Sequence, residues 1–369
     1  MSTTNSTIKN PGGVFAEKPN RIVGLDMLRI SLAILIFMFH SMGHFGCSYS
    51  FLNDFVSVGA IAMTGFFVLS GYSLRLVYGN QNLFDKSNLL RFYIKRMVSV
   101  IPLYYAVSLL YIIFLGEESL VSNLLLFPIE ALGLQSTFSS LFGVSHNDGT
   151  WFISCILLAY LVYPLIQTIV KQINVRGNVI ILLLLMFIEI WAVVVSHRFG
   201  TARLYDNPFY RILEFGCGVI VADLNINFDL GWLRALRNKW TLIIATLVLY
   251  FGVSLMRHYL TFGDFMLYNV VVLPCFCVML FSLGKLRLPY LENMNAIKYM
   301  GKISYAFFLV QYFAWPIGRW SITAIGYNCN ILRILITLTF CVLASIVLYE
   351  IVQKTTEKFI RNHVLKANN

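Results

Sequence analysis

Apolar residues fall into ten runs, each close to the length of a membrane-spanning helix, and shorter polar stretches separate the runs. About 20 residues in helical conformation cross a hydrocarbon core about 30 Å thick. The pattern therefore predicts an all-α fold, a polytopic transmembrane helix bundle with about ten spans. The predicted spans are residues 27–45, 55–79, 97–115, 150–170, 178–196, 209–224, 240–256, 264–283, 299–321 and 331–353.

Residues 116–149 contain one further apolar stretch, LLLFPIEALGL, which Pro128 and Glu130 interrupt. With ten spans and the N-terminus inside, the inner connections carry 19 Lys and Arg residues and the outer connections carry 3. Such a bias is typical of cytoplasmic loops, and a crossing through 116–149 would remove it. We predict that both termini are cytoplasmic and that this segment lies on the outer side. Whether it is a re-entrant piece or an extra span stays open.

Composition agrees with a membrane protein. Of the 369 residues, 58% are hydrophobic and 12% are charged, whereas a soluble domain is about one quarter charged. The net charge of +11 would suggest nucleic acid in a soluble protein, but basic loops beside an anionic lipid surface explain it here. The predicted partner is therefore the lipid bilayer, and no nucleic acid. We predict an N-terminal cytoplasmic tail (1–26) without a cleaved signal peptide, a membrane domain (27–353) and a C-terminal cytoplasmic tail (354–369).

The seven cysteines lie mostly inside apolar runs, without a CxxC pair or a histidine at ligand spacing. This pattern indicates small core residues, and we predict no metal site. Cys47 and Cys329 fall near predicted outer loops, so a disulfide between them is conceivable on position alone.

Two ionisable residues occupy the first predicted span, Arg29 and His40. Eleven residues at 100° each return to within about 20° of the starting direction, so the two side chains share one helix face, about 16 Å apart along the axis. Ionisable residues inside spans mark functional sites by default. The alternative is a cation anchored by Asp26 at i−3, together with a hydrogen-bonded interior histidine. Helix geometry alone leaves both interpretations open.

Several stretches resemble, in the right order, the signature segments of the acyltransferase-3 family. The opening RIVGLDMLR, followed after ten residues by His40, is the most specific of them. Members of this family are integral membrane enzymes that transfer acyl groups, usually acetyl, to cell-surface carbohydrates. Two positions depart from the family pattern: Ser99 stands where a second arginine is common, and Gln311 where a histidine is common. The other similar segments are residues 65–72, 91–105, 149–166, 211–222 and 301–311.

The resemblance implies that His40 is catalytic, either as general base on the acceptor hydroxyl or as a transient acyl carrier. It implies acetyl-CoA from the cytosol as the acyl donor, with its phosphates held by cations near the inner surface. The predicted cofactor-binding residues are Arg91, Lys95 and Arg96, and the alternative is that they only set the topology. Arg29 lies beside them and is predicted to be catalytic together with His40. The acceptor would be a surface polysaccharide or its lipid-linked precursor at the bacterial cytoplasmic membrane.

Three weaker candidates have structural alternatives. Trp151 would line the acceptor path, but tryptophan is also common at membrane interfaces. Ser70 in LSGY is a potential nucleophile, although the motif favours tight packing around Gly71. Glu189 lies in the middle of a span, where a carboxylate needs a partner or a proton. Arg211 and Glu214 are spaced to pair on one helix.

The same residues also fit other functions. Intramembrane Arg, His and Glu also occur in proton-coupled secondary transporters, although the sequence shows no inverted repeat. A scaffolding membrane subunit would tolerate the loss of His40. Within the enzyme class, another acyl group such as succinyl stays open.

Overall fold

The computed structural model describes residues 21–115, 119–137, 148–199, 204–227, 237–259, 265–325 and 330–364. These residues form helices, turns and loops without a β-strand, which confirms the predicted all-α fold. Short 3₁₀ turns precede α2, α3, α6 and α10, and a π-helical turn joins α13 to α14. The α-helices are α1 (Val23–Phe45), α2 (Asn53–Ser57), α3 (Ala62–Tyr78), α4 (Lys86–Leu115), α5 (Leu120–Ala131), α6 (Trp151–Gln172), α7 (Val175–Phe199), α8 (Pro208–Asn227), α9 (Lys239–Tyr259), α10 (Asn269–Leu283), α11 (Pro289–Glu292), α12 (Asn295–Ile325), α13 (Asn330–Leu348) and α14 (Lys354–His363).

Eight helical stretches in the described part of the chain are long and apolar enough to cross a membrane. Two predicted spans, 209–224 and 299–321, coincide with α8 and α12 but are not among the eight. The buried charges of α8 and the polar and aromatic residues of α12 lower the apolar content of these helices. The count of about ten spans and the cytoplasmic position of the termini therefore remain predictions.

The basic residues of α4 lie in a helix, which corrects the interpretation of residues 80–96 as a loop. The predicted span begins at residue 97, whereas α4 begins at Lys86. Hydropathy marks only the apolar part of this helix. Leu, Arg and Lys have high helix propensity, so the helix extends beyond the apolar run. Arg91, Lys95 and Arg96 consequently point in directions that are fixed relative to the bundle.

The segment 116–149 holds one short helix in its described part. α5 has 12 residues and is about 18 Å long, too short for a hydrocarbon core about 30 Å thick. The hydroxyls of Tyr104 and Tyr105 on α4 donate hydrogen bonds to the carbonyls of Glu130 and Ala131 at the end of this helix. α5 is thus attached to α4. Residues 116–118 and 138–147, and Cys329 of the conceivable disulfide, lie outside the described residues.

The centre of the bundle is the contact between α3 and α8, where glycines bring two backbones together. A Cβ atom on Gly71 would lie 2.0 Å from the carbonyl oxygen of Phe215, and one on Gly218 would lie 1.9 Å from that of Val68. Small residues permit such close approach between membrane helices. The tight packing predicted around Gly71 is present.

The helices around α1 define the two ends of the bundle. Gly59 before α3 lies against Phe39 of α1, and Gly65 of α3 lies against Leu32, so α3 runs antiparallel to α1. α12 runs parallel to α1, because Gly301 lies against Asp26 and Tyr312, further along α12, lies beside His40, further along α1. We refer to the end at which α1 begins as the Arg29 end.

Candidate active site

Asp26 anchors the start of α1 by accepting hydrogen bonds from two arginines. The Arg21 guanidinium donates to both carboxylate oxygens, at 2.5 and 2.9 Å, and Nη1 of Arg29 donates to Oδ1 at 3.1 Å. Asp26 is only 3% exposed, and Gly301 of α12 leaves the space that its carboxylate occupies. The contact between Arg29 and Asp26, on which the alternative interpretation of Arg29 depends, is present. The sequence did not single out Arg21, because its contribution depends on the path of the chain before α1.

Arg29 lines a cavity of about 270 Å³ that we call the Arg29 pocket. α1, α3, α4, α6 and α12 all contribute to its wall. The wall is mostly apolar and aromatic, with four serine residues and a second arginine, Arg96. The serines are Ser70, Ser73, Ser99 and Ser304.

Arg96 points into the Arg29 pocket, whereas its basic neighbours do not line it. Its guanidinium lies 5.3 Å from the centre of the Tyr78 ring, and Nη2 donates to the Tyr78 hydroxyl at 3.3 Å. Arg91 lies about 140° away from Arg96 around α4, and Lys95 is exposed. The structure thus brings together Arg29 and Arg96 out of the predicted basic group. Ser99, which replaces an expected arginine, also lines this pocket.

His40 lines a second cavity, of about 180 Å³, that we call the His40 pocket. The Tyr312 ring of α12 stands edge-on to the imidazole, with ring centres 5.3 Å apart. Gly149 lies against Tyr312, and a Cβ atom at this glycine would be 2.1 Å from Cε2 of the ring. The tyrosine ring is therefore held between Gly149 and His40. Trp151, Tyr205 and Phe265 also contribute to the aromatic wall.

The two pockets lie next to each other along one face of α1. Met63 and Phe308 line both of them. This arrangement agrees with the shared helix face predicted for Arg29 and His40. A cation and an imidazole thus lie about 16 Å apart along the helix axis, in neighbouring cavities of the same bundle.

A buried ion pair lies behind the aromatic wall of the His40 pocket. Arg211 and Glu214 of α8 are both completely buried, and Nη1 of Arg211 is 2.7 and 2.8 Å from the two carboxylate oxygens. Thr64 and Asn269 each donate to Oε1 of Glu214 at 2.9 Å. The sequence predicted the pair. It did not predict the surrounding network, whose members come from α3 and α10.

Arg211 connects this network to the pocket wall. Its guanidinium lies 5.3 Å from the Trp151 ring centre and 4.9 Å from that of Tyr205, and its Nε donates to the Tyr205 carbonyl at 2.8 Å. Cations over aromatic faces are attracted by the ring quadrupole. Glu189 of α7 is completely buried close to Glu214, and it lines neither pocket. The structure therefore assigns Glu189 to the packed interior.

Several residues around His40 were not predicted from the sequence to belong to a site. His44, one turn further along α1, stacks on Trp315 with ring centres 5.3 Å apart, and its Nδ1 is 3.3 Å from Nη1 of Arg319. The i, i+4 spacing of His40 and His44 places both side chains on one side of α1, and this spacing can be recognised in the sequence. Tyr312 follows directly after the similar segment 301–311. Gln311, in contrast, is buried and lines neither pocket.

These positions suit proton transfer near His40 and anion binding near Arg29. A neutral imidazole accepts a proton from a nearby hydroxyl. Two guanidinium groups favour phosphate, to which arginine binds with charge-assisted hydrogen bonds. The serine hydroxyls and apolar walls between them would accommodate an extended, partly polar chain.

Comparison with known proteins supports the same class. A family model for an acyltransferase domain matches residues 22–350, which is nearly the whole chain and includes every residue of both pockets. Comparison with curated proteins and with solved structures finds no match. The chain belongs to the acyltransferase-3 family and is a membrane acyltransferase.

Proposed function

We propose that the protein is a membrane O-acyltransferase that moves an acetyl group from cytosolic acetyl-CoA to a hydroxyl of a surface polysaccharide or its lipid-linked precursor. The observation that carries this proposal is the pair of adjoining pockets on one face of α1, one with two arginines and one with a histidine. The proposed location is the bacterial cytoplasmic membrane, with the Arg29 end in the cytosol. This orientation follows from the 19-to-3 bias of basic residues.

Donor binding is proposed for the Arg29 pocket. Arg29 and Arg96 would bind phosphate groups of CoA, and the serine hydroxyls and apolar wall would hold the pantetheine arm. The thioester would then point along α1 towards Met63 and Phe308, where the two pockets adjoin. Arg91 and Lys95 would contribute only to the basic surface around the entrance, because they do not line the pocket.

Acceptor binding is proposed for the His40 pocket. Trp151, Tyr205 and Tyr312 present aromatic rings, which pack well against the apolar faces of sugars. His40 would take the proton of the acceptor hydroxyl as the oxygen attacks the thioester carbon. The C–S bond then breaks, the acetyl group stays on the acceptor oxygen, and the CoA thiolate gains a proton. The alternative is transient transfer of the acetyl group to the imidazole.

The proposal is tested by acyl transfer in membrane vesicles that contain the protein. Vesicles would receive labelled acetyl-CoA and a surface glycan extract, with labelled succinyl-CoA in a parallel reaction. Label in the glycan that depends on the protein supports the enzyme, and the effective donor identifies the acyl group. CoA-independent movement of a glycan or a proton across the membrane, without labelled glycan, would favour the transporter instead.

Replacing Arg96 with alanine should weaken donor binding. Loss of a charge-assisted hydrogen bond corresponds to about a tenfold or larger rise in KM for acetyl-CoA. Lys95→Ala is the matched control, because it removes a charge from the same helix without changing the pocket wall. Initial rates over a range of acetyl-CoA concentrations measure the effect. Equal KM values for Arg96→Ala and Lys95→Ala would contradict a role for Arg96 in the pocket.

Replacing Gly149 with alanine should lower the rate of transfer by displacing Tyr312 into the His40 pocket. The new methyl group would overlap the ring, which stands against the imidazole. We expect about a tenfold or larger loss, since a misplacement of about 1 Å near a reacting group costs up to about a hundredfold. The control is a double-mutant cycle with Tyr312→Ala. If Gly149→Ala causes the same loss in that background, the tyrosine ring is not the cause.

A further inference from the structure

A third cavity, of about 590 Å³, lies at the Arg29 end and is separate from the two pockets described above. We call it the Arg21 pocket. The start of α1, the connection from α10 through α11, and the first turn of α12 surround it. Its polar lining contains four cations and one carboxylate. They are Arg21, Lys285, Arg287, Lys298 and Glu292.

Among the described residues, an ion pair balances only one of the four cations of this lining. Arg21 pairs with Asp26, whereas Lys285, Arg287 and Lys298 form no ion pair with another described residue. Glu292 accepts a hydrogen bond from the backbone N–H of Leu288 at 3.3 Å, so its carboxylate is engaged in the local turn. Three cations without an ion-pair partner in the described part of the chain therefore line one cavity, and they come from two different segments.

Close helix packing forms the floor of the Arg21 pocket. A Cβ atom on Gly24 would lie 2.9 Å from the Leu283 side chain, and one on Gly284 would lie 1.7 Å from the Tyr72 hydroxyl. Gly24 thus lets α1 approach α10, Gly284 lets the end of α10 approach α3, and neither position has a side chain that would fill the cavity. Lys and Arg are common in loops near the cytoplasmic membrane surface. This preference explains why the region contains many basic residues, but it does not explain why they surround a cavity.

Asp26 connects the Arg21 pocket to the Arg29 pocket. Its carboxylate binds Arg21, which lines the first, and Arg29, which lines the second. An anion near Arg21 would compete with Asp26 for this guanidinium. Occupation of the Arg21 pocket would therefore change the electrostatic environment of Arg29.

We propose that the Arg21 pocket binds a phosphate group. Unpaired lysine and arginine side chains around an open cavity favour a phosphate, which lysine binds as a point charge and arginine through paired N–H groups. Two sources offer this chemistry at a membrane surface: the phosphorylated adenosine of CoA and the headgroup of an anionic phospholipid. The phosphate site stands on its own residues, and only the assignment to CoA rests on the proposed function.

Binding to purified protein in lipid nanodiscs tests the site without requiring activity. The test variant is Lys285→Gln with Arg287→Gln, and the matched control is Lys358→Gln with Arg361→Gln on the exposed helix α14. Both variants lose two positive charges. Adenosine 3′,5′-bisphosphate is titrated in phosphatidylcholine nanodiscs. Retention of phosphatidylglycerol from mixed nanodiscs is measured separately by native mass spectrometry.

We expect the test variant to lose about tenfold or more in one of the two affinities, while the control retains both. Loss in the nucleotide titration identifies CoA as the source, and loss of phosphatidylglycerol retention identifies the lipid. Exchange of the two cations, Lys285→Arg with Arg287→Lys, should preserve binding. Preserved binding would show that positive charge at these positions is required, and not the particular side chain. Unchanged affinity of the test variant for both ligands would overturn the proposal. The binding measurements do not depend on acetyl transfer. They therefore test the phosphate site even if the protein proves not to be an acetyltransferase.

Discussion

Replacing His40 with alanine is expected to abolish acyl transfer while the protein still folds. The proposed mechanism needs an imidazole next to the acceptor hydroxyl, and a positioned general base contributes about a hundredfold to ten-thousandfold. An acyl-carrying histidine would be equally indispensable. His40 lines a cavity, so its removal enlarges that space and does not open the packed contact between α3 and α8. Transfer of label in vesicles measures the activity of the variant. The size-exclusion elution profile of the purified variant shows whether it folds.

His44→Ala is the matched control for this experiment. His44 lies one turn away on α1, stacks on Trp315 and does not line the His40 pocket. It should therefore retain most of the activity. Substantial transfer by a folded His40→Ala variant would refute the assigned role. Mass spectrometry of wild-type protein mixed with acetyl-CoA alone distinguishes the two mechanisms, because only the acyl carrier acquires an acetyl group on His40 without acceptor.

The second large effect is expected at the buried ion pair of α8. Glu214→Ala would leave the Arg211 guanidinium without its carboxylate in a completely buried position. Breaking such a pair destabilises a protein by about 3–5 kcal/mol, because an uncompensated charge remains inside. Thr64 and Asn269 would each also lose a hydrogen bond to this carboxylate. We expect a large fall in the thermal unfolding temperature of the detergent-solubilised protein. Unfolding is monitored by tryptophan fluorescence or by a thiol-reactive fluorescent dye.

An exposed pair of similar spacing provides the control. Lys354 and Glu350 are in contact at 2.5 Å with exposed side chains, so Lys354→Ala should change the unfolding temperature little. A second variant, Arg211→Met with Glu214→Leu, removes both charges and should be more stable than Glu214→Ala alone. The stability argument fails if Glu214→Ala unfolds at the same temperature as Lys354→Ala.

The double variant also reports on the His40 pocket. Arg211 lies over Trp151 and Tyr205 and bonds the Tyr205 carbonyl, so its loss frees two rings of the proposed acceptor wall. Arg211 would act as a positioning residue, since it does not line the pocket. A variant that folds should show a raised KM for the glycan with little change in KM for acetyl-CoA. A change confined to stability would assign Arg211 a purely structural role.

Local patterns in the sequence determined the helices, the membrane class and the family. Runs of apolar residues depend only on neighbouring positions, so they predict helices without any knowledge of the fold. The spacing of Arg29 and His40 determined their common face for the same reason, because helix geometry is local. The contact of Arg29 with Asp26 and the pairing of Arg211 with Glu214 follow equally from i, i+3 spacing.

The tertiary structure decided which residues of other helices contact these helix faces. Arg96, and not Arg91 or Lys95, lines the Arg29 pocket, because α4 extends past its apolar part and turns one basic residue inwards. Tyr312 reaches His40 from α12, some 270 residues further along the chain. Contacts of this kind depend on how helices pack, and no periodicity within one helix encodes its partner. The sequence by itself therefore determined the kind of protein and the face of α1 that carries Arg29 and His40, whereas the arrangement of the other helices around that face decided the pockets.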